Sequence, residues 1–498
     1  MLQSYDLFRN KSIILVFISI VAVVVGIINP LLVIGSCVAL FAAILLLKWP
    51  DITVVFVVFV IYTNAAVVLI KFHNIPPVLG YVLPLMLLIP FIWYLIVQNR
   101  KIRVNPVFVL MLLYLAIMMV SGVFSRDINL ATPDIITYLA EGLGLYFLLF
   151  NTIRTPKLLK QVVWSLLIAG ALMGGLSLFQ QLTGTFNNNY GGFAQVDGKG
   201  FITEKTLQGE VVQLRVAGPV GEKNRYGQVM LMLVPLGFFQ ALGAESRKFR
   251  LLAFILTGLT LMGCVLTYSR GAMVAFLLLL LIMGFLKYIK LGQLFGVLLG
   301  ILLLLQAFPQ INQRFSTLGN IFSTQEAGGL ENADGSIQGR ATEVLVALLI
   351  FRDHPVLGVG SGMYRYEVAR YSEIIGYKNI AGEREPHSLY PGVAAETGIL
   401  GFTTLMAIFL YTLYRLATAR TYWLERKKQD VANLCTGFFL AVVSYMATGI
   451  FLHISYFRYL WIIMALAAVA SEFRESDLTE ISGKKKTQED LLLPKNAI

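Results

Sequence analysis

The sequence predicts an all-α, polytopic membrane protein with roughly 14 transmembrane helices, within a range of about 12–14. Of the 498 residues, 57% are hydrophobic and only 14% are charged, whereas a soluble globular protein has about 45–50% apolar and about 25% charged residues. Apolar runs recur from residue 12 to residue 471, which excludes both a soluble multidomain protein and a protein with one membrane anchor. The three cysteines, Cys37, Cys264 and Cys435, lie inside apolar runs, which excludes a secreted disulfide scaffold.

A helix that crosses a bilayer needs about 20 consecutive, mainly apolar residues. The runs that approach this length predict spans near 12–29, 31–47, 52–71, 78–97, 107–124, 135–153, 158–182, 222–242, 251–267, 270–286, 290–308, 392–414, 432–450 and 454–471. Together they form a single transmembrane domain over residues 1–471, with long outer loops at 183–221 and 309–391. Residues 472–498 are polar and are predicted to form a disordered cytoplasmic tail.

The net charge of +12 is explained by the membrane rather than by a nucleic-acid partner, because cytoplasmic loops collect Lys and Arg. The distribution of these basic residues along the chain predicts the orientation. With the N-terminus inside, most basic residues fall on inner segments. The short outer turns then hold only Lys71, Arg126, Arg270 and Arg458. Both termini are therefore expected in the cytoplasm. The run 12–29 is followed at once by another apolar run, so no signal peptide is expected.

The polar motifs that stand out all lie on the predicted outer side. They are Arg215 with the Gly218-Pro219-Val220-Gly221 turn, a helix start near Asn224, Ser269-Arg270-Gly271-Ala272, Gly339-Arg340-Ala341, Asp353-His354-Pro355 with Gly358-Val359-Gly360, and His387 followed by Glu396-Thr397-Gly398-Ile399-Leu400-Gly401. This concentration on one side points to chemistry at a membrane surface.

Two arginines are candidates for binding an anion. Arg270 stands between two apolar runs, where a charge costs about 2.5–3.5 kcal/mol and is often functional. It also opens a predicted helix, so a diphosphate there would meet a guanidinium fork and the amides of a helix N-terminus. The alternative is an interfacial arginine that reaches lipid phosphates. Arg215 precedes a turn that can aim its guanidinium and backbone N–H groups at one point; the alternative is a solvated loop residue.

His387 is the candidate proton acceptor. It follows a charged stretch and precedes an apolar helix, so a neutral imidazole at the membrane surface could accept a proton from a sugar hydroxyl; the alternative is a structural histidine. Motifs of the His-Glu-x-x-His, Asp-x-Asp and Cys-x-x-Cys kinds are absent, and Gly358–Gly362 lacks a P-loop lysine. We therefore expect no metal and no cofactor. Glu141, inside a span, either belongs to a site or pairs with a basic group of the bundle.

In their order, these segments resemble the O-antigen ligase and O-antigen polymerase family of bacterial membrane glycosyltransferases. The resemblance covers about residues 213–401 and consists of Arg215…Gly218…Asn224, Ser269-Arg270-Gly271-Ala272, Asp353-His354-Pro355…Gly358-Val359-Gly360, His387 and Glu396–Gly401. The first half of the chain is similar only as membrane helices. The family often has Asn directly after the histidine, whereas Ser388 stands there in this sequence.

The resemblance implies a GT-C-like helical fold and a site on the outer face of the bacterial cytoplasmic (inner) membrane. There, a glycan would pass from an undecaprenyl-diphosphate carrier to an acceptor hydroxyl, without metal or nucleotide. It implies that Arg215 and Arg270 bind the diphosphate and that His387 assists the acceptor, which makes these three the catalytic candidates. The substrate-binding candidates are Arg340, Asn224, Arg225, Glu396 and Tyr390.

The expected partners are the carrier-linked glycan donor, a glycan or lipid–glycan acceptor, membrane lipid and other polysaccharide-assembly proteins, but no nucleic acid. Polymerase and ligase are both consistent with the residues, because the shape of the acceptor pocket separates them. A flippase or other transporter of the same lipid-linked glycan is an alternative. It would place charges along a path through the bundle, yet the spans are mostly free of charge apart from Glu141. A third possibility is a non-catalytic assembly partner that binds glycan.

Overall fold

The computed structural model describes residues 49–206, 209–289, 335–375, 380, 382–453 and 457–473, with isolated positions between 290 and 300. In the first half the elements are α1 Pro50–Tyr62, α2 Ala65–His73, α3 Val78–Leu85, α4 Leu88–Ile92, α5 Pro106–Val123, α6 Ile128–Thr137, α7 Leu145–Thr152, α8 Pro156–Thr183, β1 Gln195–Thr206 and β2 Gly209–Gly218. In the second half they are α9 Lys223–Leu242, α10 Arg247–Val265, α11 Arg270–Phe285, α12 Gly335–Asp353, α13 Tyr364–Ile375, α14 Leu389–Glu425, α15 Gln429–Thr448 and α16 Phe457–Glu472.

The polytopic helical class is confirmed, while the count of about 14 spans is not. Six helices of the described part are long and apolar enough to cross a membrane, or up to seven if α1 and α2, bent by 55°, form one span. The predicted span 78–97 is divided into α3, α4 and a π-helical turn over Trp93–Val97. The predicted spans 12–29 and 31–47, nearly all of 290–308 and nearly all of the tail 472–498 lie outside the described residues.

The two long segments predicted as loops contain secondary structure that was not predicted from the sequence. The segment 183–221 contains the antiparallel hairpin β1–β2, so the chain is not all-α. Strand β2 contains Val211, Val212 and Val216, and β-branched residues favour strands. The hairpin is nevertheless too short and too polar to appear as an apolar run in the sequence. The segment 309–391 contains the helices α12 and α13, which pack on each other through Val346, Ile350 and Val368.

Capping side chains fix where several helices begin. Asn105 and Thr155 precede Pro106 and Pro156 and accept hydrogen bonds from the backbone N–H groups three residues later, at 2.9 and 3.2 Å. Proline suits the first helical position, since its missing N–H would have no helical partner there. Ser269 caps α11 in the same way. Arg270 is thereby the first residue of its helix, as the sequence predicted.

Helix α9 lies at the centre of the bundle, packed against α8, α10 and α15. Where α8 crosses α10, small residues allow the two helices to approach each other closely. A Cβ atom placed on Gly174 would lie 2.1 Å from the carbonyl oxygen of Leu259, and one placed on Gly263 would lie 2.7 Å from the Cα of Gly174. The backbones of α8 and α10 therefore touch, which fixes the position of α9 between them.

Helix α14 is interrupted at Gly398, where φ is 64° and ψ is −165°. The segment after α12 packs into this break through four backbone hydrogen bonds: Ile399 N–H to Pro355 O (2.8 Å), Val359 N–H to Ala395 O (2.9 Å), Gly360 N–H to Glu396 O (3.0 Å) and Leu400 N–H to Val356 O (3.5 Å). A Cβ atom on Gly358 or Gly398 would lie within 2.4 Å of the opposing backbone. The two glycine-containing motifs thus form one backbone contact and require glycine for it.

The α8–α10 contact leads to a stability prediction with a matched control. Replacing Gly174 with Ala forces a methyl group against the Leu259 carbonyl. We expect a loss of about 1–3 kcal/mol in the free energy of unfolding, as for other overpacked sites. A Cβ atom added to the neighbouring Gly175 would meet nothing within 4 Å, so Gly175→Ala should be neutral or stabilising. Thermal unfolding of the detergent-solubilised variants measures both effects, and equal melting temperatures would contradict the close crossing.

Candidate functional site

One side of the candidate site is formed by β2 and the turn that leads into α11. Arg215 lies on β2 and is buried, with 6% of the residue exposed. Its Nε donates to the carbonyl oxygen of Thr267 at 2.7 Å, and its Nη2 lies 3.4 Å from Asn224 Oδ1. Because Thr267 stands three residues before Arg270, the hairpin arginine is fixed against the turn that positions the second arginine.

The N-terminus of α9 is held by Glu222. Its carboxylate accepts hydrogen bonds from the backbone N–H groups of Asn224 and Arg225, at 2.9 and 2.7 Å, and from Asn224 Nδ2 at 3.0 Å. A carboxylate at this position both caps the helix and interacts favourably with its dipole. Asn224 and Arg225 are therefore oriented by the cap: Asn224 toward Arg215, and Arg225 toward His453, whose Nε2 lies 2.8 Å from Arg225 Nη2.

Arg340, on α12, faces the same region as Arg270. Burial lowers the pKa of Arg340; the Glu343 and Glu222 carboxylates oppose this shift, while the positive charges of Arg270 and Arg384 add to it. The guanidinium groups of Arg270 and Arg384 therefore each lie within electrostatic range of Arg340. Like charges held together in a partly buried site favour an anionic ligand, which relieves their repulsion.

His387 is hydrogen-bonded to a buried carboxylate. Its Nδ1 lies 2.6 Å from Glu343 Oε2, and the Glu343 side chain is fully buried. The second oxygen of Glu343 lies 3.0 Å from Arg384 Nε. A carboxylate acceptor places the imidazole proton on Nδ1, which leaves the lone pair of Nε2 available. With 31% of its side chain exposed, His387 combines an oriented ring with access to a ligand.

A second network of charges lies next to His387. His453, in the connection between α15 and α16, contacts the carboxylate of Glu385 and the guanidinium of Arg225. Burial lowers the pKa of His453 to about 4; Glu385 opposes this shift, and Arg225 and His387 add to it. Arg365 links Glu385 (3.4 Å) to Asp134 (2.8 Å). These contacts connect α6, α9 and α13 to the segment that carries His387.

A cavity of about 490 Å³ opens within this second network. Glu396 and Arg225 line it, together with Glu141 and Arg458, which form an ion pair at 3.3 Å. The pairing of Glu141 with a basic group of the bundle is one of the two roles that the sequence allowed. Tyr390 contributes to the bundle instead, since its hydroxyl donates to the carbonyl oxygen of Met446 at 2.6 Å.

The predicted residues thus fall into two adjoining groups. Arg215, Asn224, Arg270 and Arg340 form the first, His387 stands at the boundary, and Arg225 and Glu396 belong to the cavity. Sequence reasoning missed Glu343, Arg384, Glu385, Arg365 and His453. One signal was present: Arg340 and Glu343 are three residues apart on a helix, so they share a face. Within the described ranges, groups of three or more His, Cys, Asp or Glu side chains arranged to hold a metal ion are not found.

The lowered pKa of His453 leads to a prediction about stability and pH. Its folded pKa, about 4, is below the unfolded value of 6.5, so between these pH values the unfolded state binds more protons and stability falls as pH falls. We expect His453→Gln to have a shallower loss of melting temperature between pH 7.5 and 5 than the wild type. His73→Gln, at an exposed position on α2, should retain the wild-type slope. Parallel slopes for all three proteins would contradict the buried, neutral imidazole.

Comparison with known proteins identifies the family of this region. No curated protein matches the chain. Residues 252–406 match the sequence model of a family described as O-Antigen ligase, and this segment runs from α10 through Arg270, Arg340, Glu343 and His387 to the break in α14. Its apolar helices and this match together point to a bacterial inner-membrane protein. Residues 252–406 are thus similar to the O-antigen ligase family, which supports an assignment to that family.

Proposed function

We propose that the protein is a metal-independent glycosyltransferase of the bacterial inner membrane that acts at the outer face. It would move a glycan from an undecaprenyl-diphosphate carrier to an acceptor hydroxyl, as an O-antigen or surface-polysaccharide ligase or polymerase. The observation that carries this proposal is the Glu343–His387 pair beside the Arg270 and Arg340 guanidinium groups. The family match over residues 252–406 supports a glycan-transferring role.

The arginine group is suited to the leaving group of this reaction. When the bond from the anomeric carbon to the diphosphate oxygen breaks, negative charge grows on the diphosphate. Arg270 at the N-terminus of α11 and Arg340 on α12 would stabilise it, because preoriented donors act most strongly where charge develops. Arg215, held by Thr267 and Asn224, would complete this side of the site.

The histidine is suited to the acceptor. Nε2 of His387 would take the proton from the attacking hydroxyl while the hydroxyl oxygen forms the new bond to the anomeric carbon. The resulting imidazolium would be stabilised by the Glu343 carboxylate at Nδ1, which also fixes the orientation of the ring. Direct attack opposite the leaving diphosphate inverts the anomeric configuration.

The test is complementation in a host that produces the cognate lipid-linked glycan. After deletion of the gene, wild type, Arg270→Ala, His387→Ala and Glu343→Gln are expressed, and the surface glycan is resolved by size and by anchor. Loss of a general base costs about 10²–10⁴-fold in rate, and loss of one preoriented donor at the leaving group costs about 10²–10³-fold. We therefore expect all three variants to lose the mature glycan. Loss of long chains with one repeat still attached indicates a polymerase, and full-length chains left on the carrier indicate a ligase.

Glu373→Gln is the matched control, because Glu373 is an exposed glutamate on α13. It should restore the wild-type glycan. Membrane levels of each variant are measured by immunoblot. If Arg270→Ala and His387→Ala both restore a normal glycan at normal levels, the catalytic assignment is wrong.

A further inference from the structure

The cavity of about 490 Å³ lies directly beside His387 and is separate from the arginine group that suits the diphosphate. Glu385, Pro386 and Leu389, which flank His387 along the chain, all line it. His453 also lines it and lies within electrostatic range of His387. A ligand in this cavity would therefore stand next to the imidazole.

The charges of the cavity wall are unlike those of a phosphate site, because its guanidinium groups are already engaged. The contacts join Arg365 to Asp134 (2.8 Å) and Glu385 (3.4 Å), Arg458 to Glu141 (3.3 Å), and Arg225 to His453 (2.8 Å). The wall thus presents donors and acceptors side by side, without an excess of positive charge. This arrangement suits hydroxyl groups, each of which both donates and accepts.

Among the residues that line the cavity, Glu396 is the best candidate for contacting a ligand. The backbone N–H of Gly362 is a hydrogen-bond partner of its carboxylate, and among the described residues no ion pair to it is found. A half-buried carboxyl group with so few protein partners retains unused hydrogen-bonding capacity, and sugar hydroxyls, which both donate and accept, can satisfy it. The apolar part of the wall, with Val67, Met118 and Val393, suits the C–H face of a sugar ring.

We propose that this cavity binds the sugar of the acceptor, with the Glu396 carboxyl group hydrogen-bonded to its hydroxyl groups, and so presents one hydroxyl to His387. The inference rests on the proposed function and assigns the acceptor side of that site. The same sugar chemistry is present in the first residue of the donor glycan, so the experiment must separate acceptor from donor.

The test uses the full chain in lipid nanodiscs, as wild type, Glu396→Gln, Thr137→Trp and Glu373→Gln. Thr137 lines the cavity and is half-buried, so the tryptophan fills it without changing Glu396. Two saccharide probes are used: the glycan repeat released by mild acid, and the delipidated core oligosaccharide of the host's surface glycolipid. Calorimetry measures their binding. A glycan-transfer assay uses the host's lipid-linked glycan as the donor and each probe in turn as the acceptor. It gives the KM for the donor and the KM for the probe that accepts the glycan.

We expect Glu396→Gln and Thr137→Trp to weaken binding of one probe, and to raise its KM, by roughly 10–100-fold, the range for a buried polar group that loses a hydrogen-bond partner. The KM for the donor should not change, and Glu373→Gln should behave as wild type. A rise in the donor KM instead would assign the cavity to the donor sugar and overturn the inference. So would wild-type protein that binds neither probe, or variants that bind as wild type.

The failure of the proposed function gives a different result. If the wild type binds a probe in a manner that depends on Glu396 but transfers no glycan, the cavity remains a saccharide site and the transferase proposal is wrong.

Discussion

The burial of one carboxylate organises the candidate site. The Glu343 side chain is fully buried, and a charge in that position is tolerated only when it is paired and hydrogen-bonded. Its two oxygens meet His387 and Arg384, both from the segment before α14, while its own helix is α12. The contacts of Glu343 with Arg384 and His387 therefore hold the segment before α14 against α12. The same helix carries Arg340 one turn earlier, where it comes within range of Arg270.

A second constraint is the backbone contact between the segment 355–360 and the break in α14. Four backbone hydrogen bonds and two glycines without room for a Cβ atom fix this contact. It positions Glu396, whose carbonyl oxygen accepts from Gly360 N–H, at the edge of the cavity. The contact and the Glu343 pair together hold α12 against α14, so the arginines and the cavity lie on either side of His387.

The sequence was sufficient for the helical membrane class and for several local features. Long apolar runs predicted the bundle. The turn at 218–221 and the position of Arg270 between two apolar runs predicted the starts of α9 and α11, because both signals are local. The hairpin in 183–221 and the helices in 309–391 were missed, since polar segments have no hydropathy signal. Glu343 was missed because its importance arises from a partner 44 residues away. The Gly358 and Glu396 motifs were each visible, but their pairing depends on tertiary contact.

We propose that Arg270 and Arg340 receive the diphosphate while the Glu343–His387 pair stands beside it. The most direct test is an electron cryo-microscopy structure of the full chain in nanodiscs with undecaprenyl diphosphate. We expect phosphate oxygens within hydrogen-bond distance of the Arg270 and Arg340 guanidinium groups, next to His387. Diphosphate density among Arg225, Arg365 and Arg458 in the cavity, with none at Arg270, would contradict it.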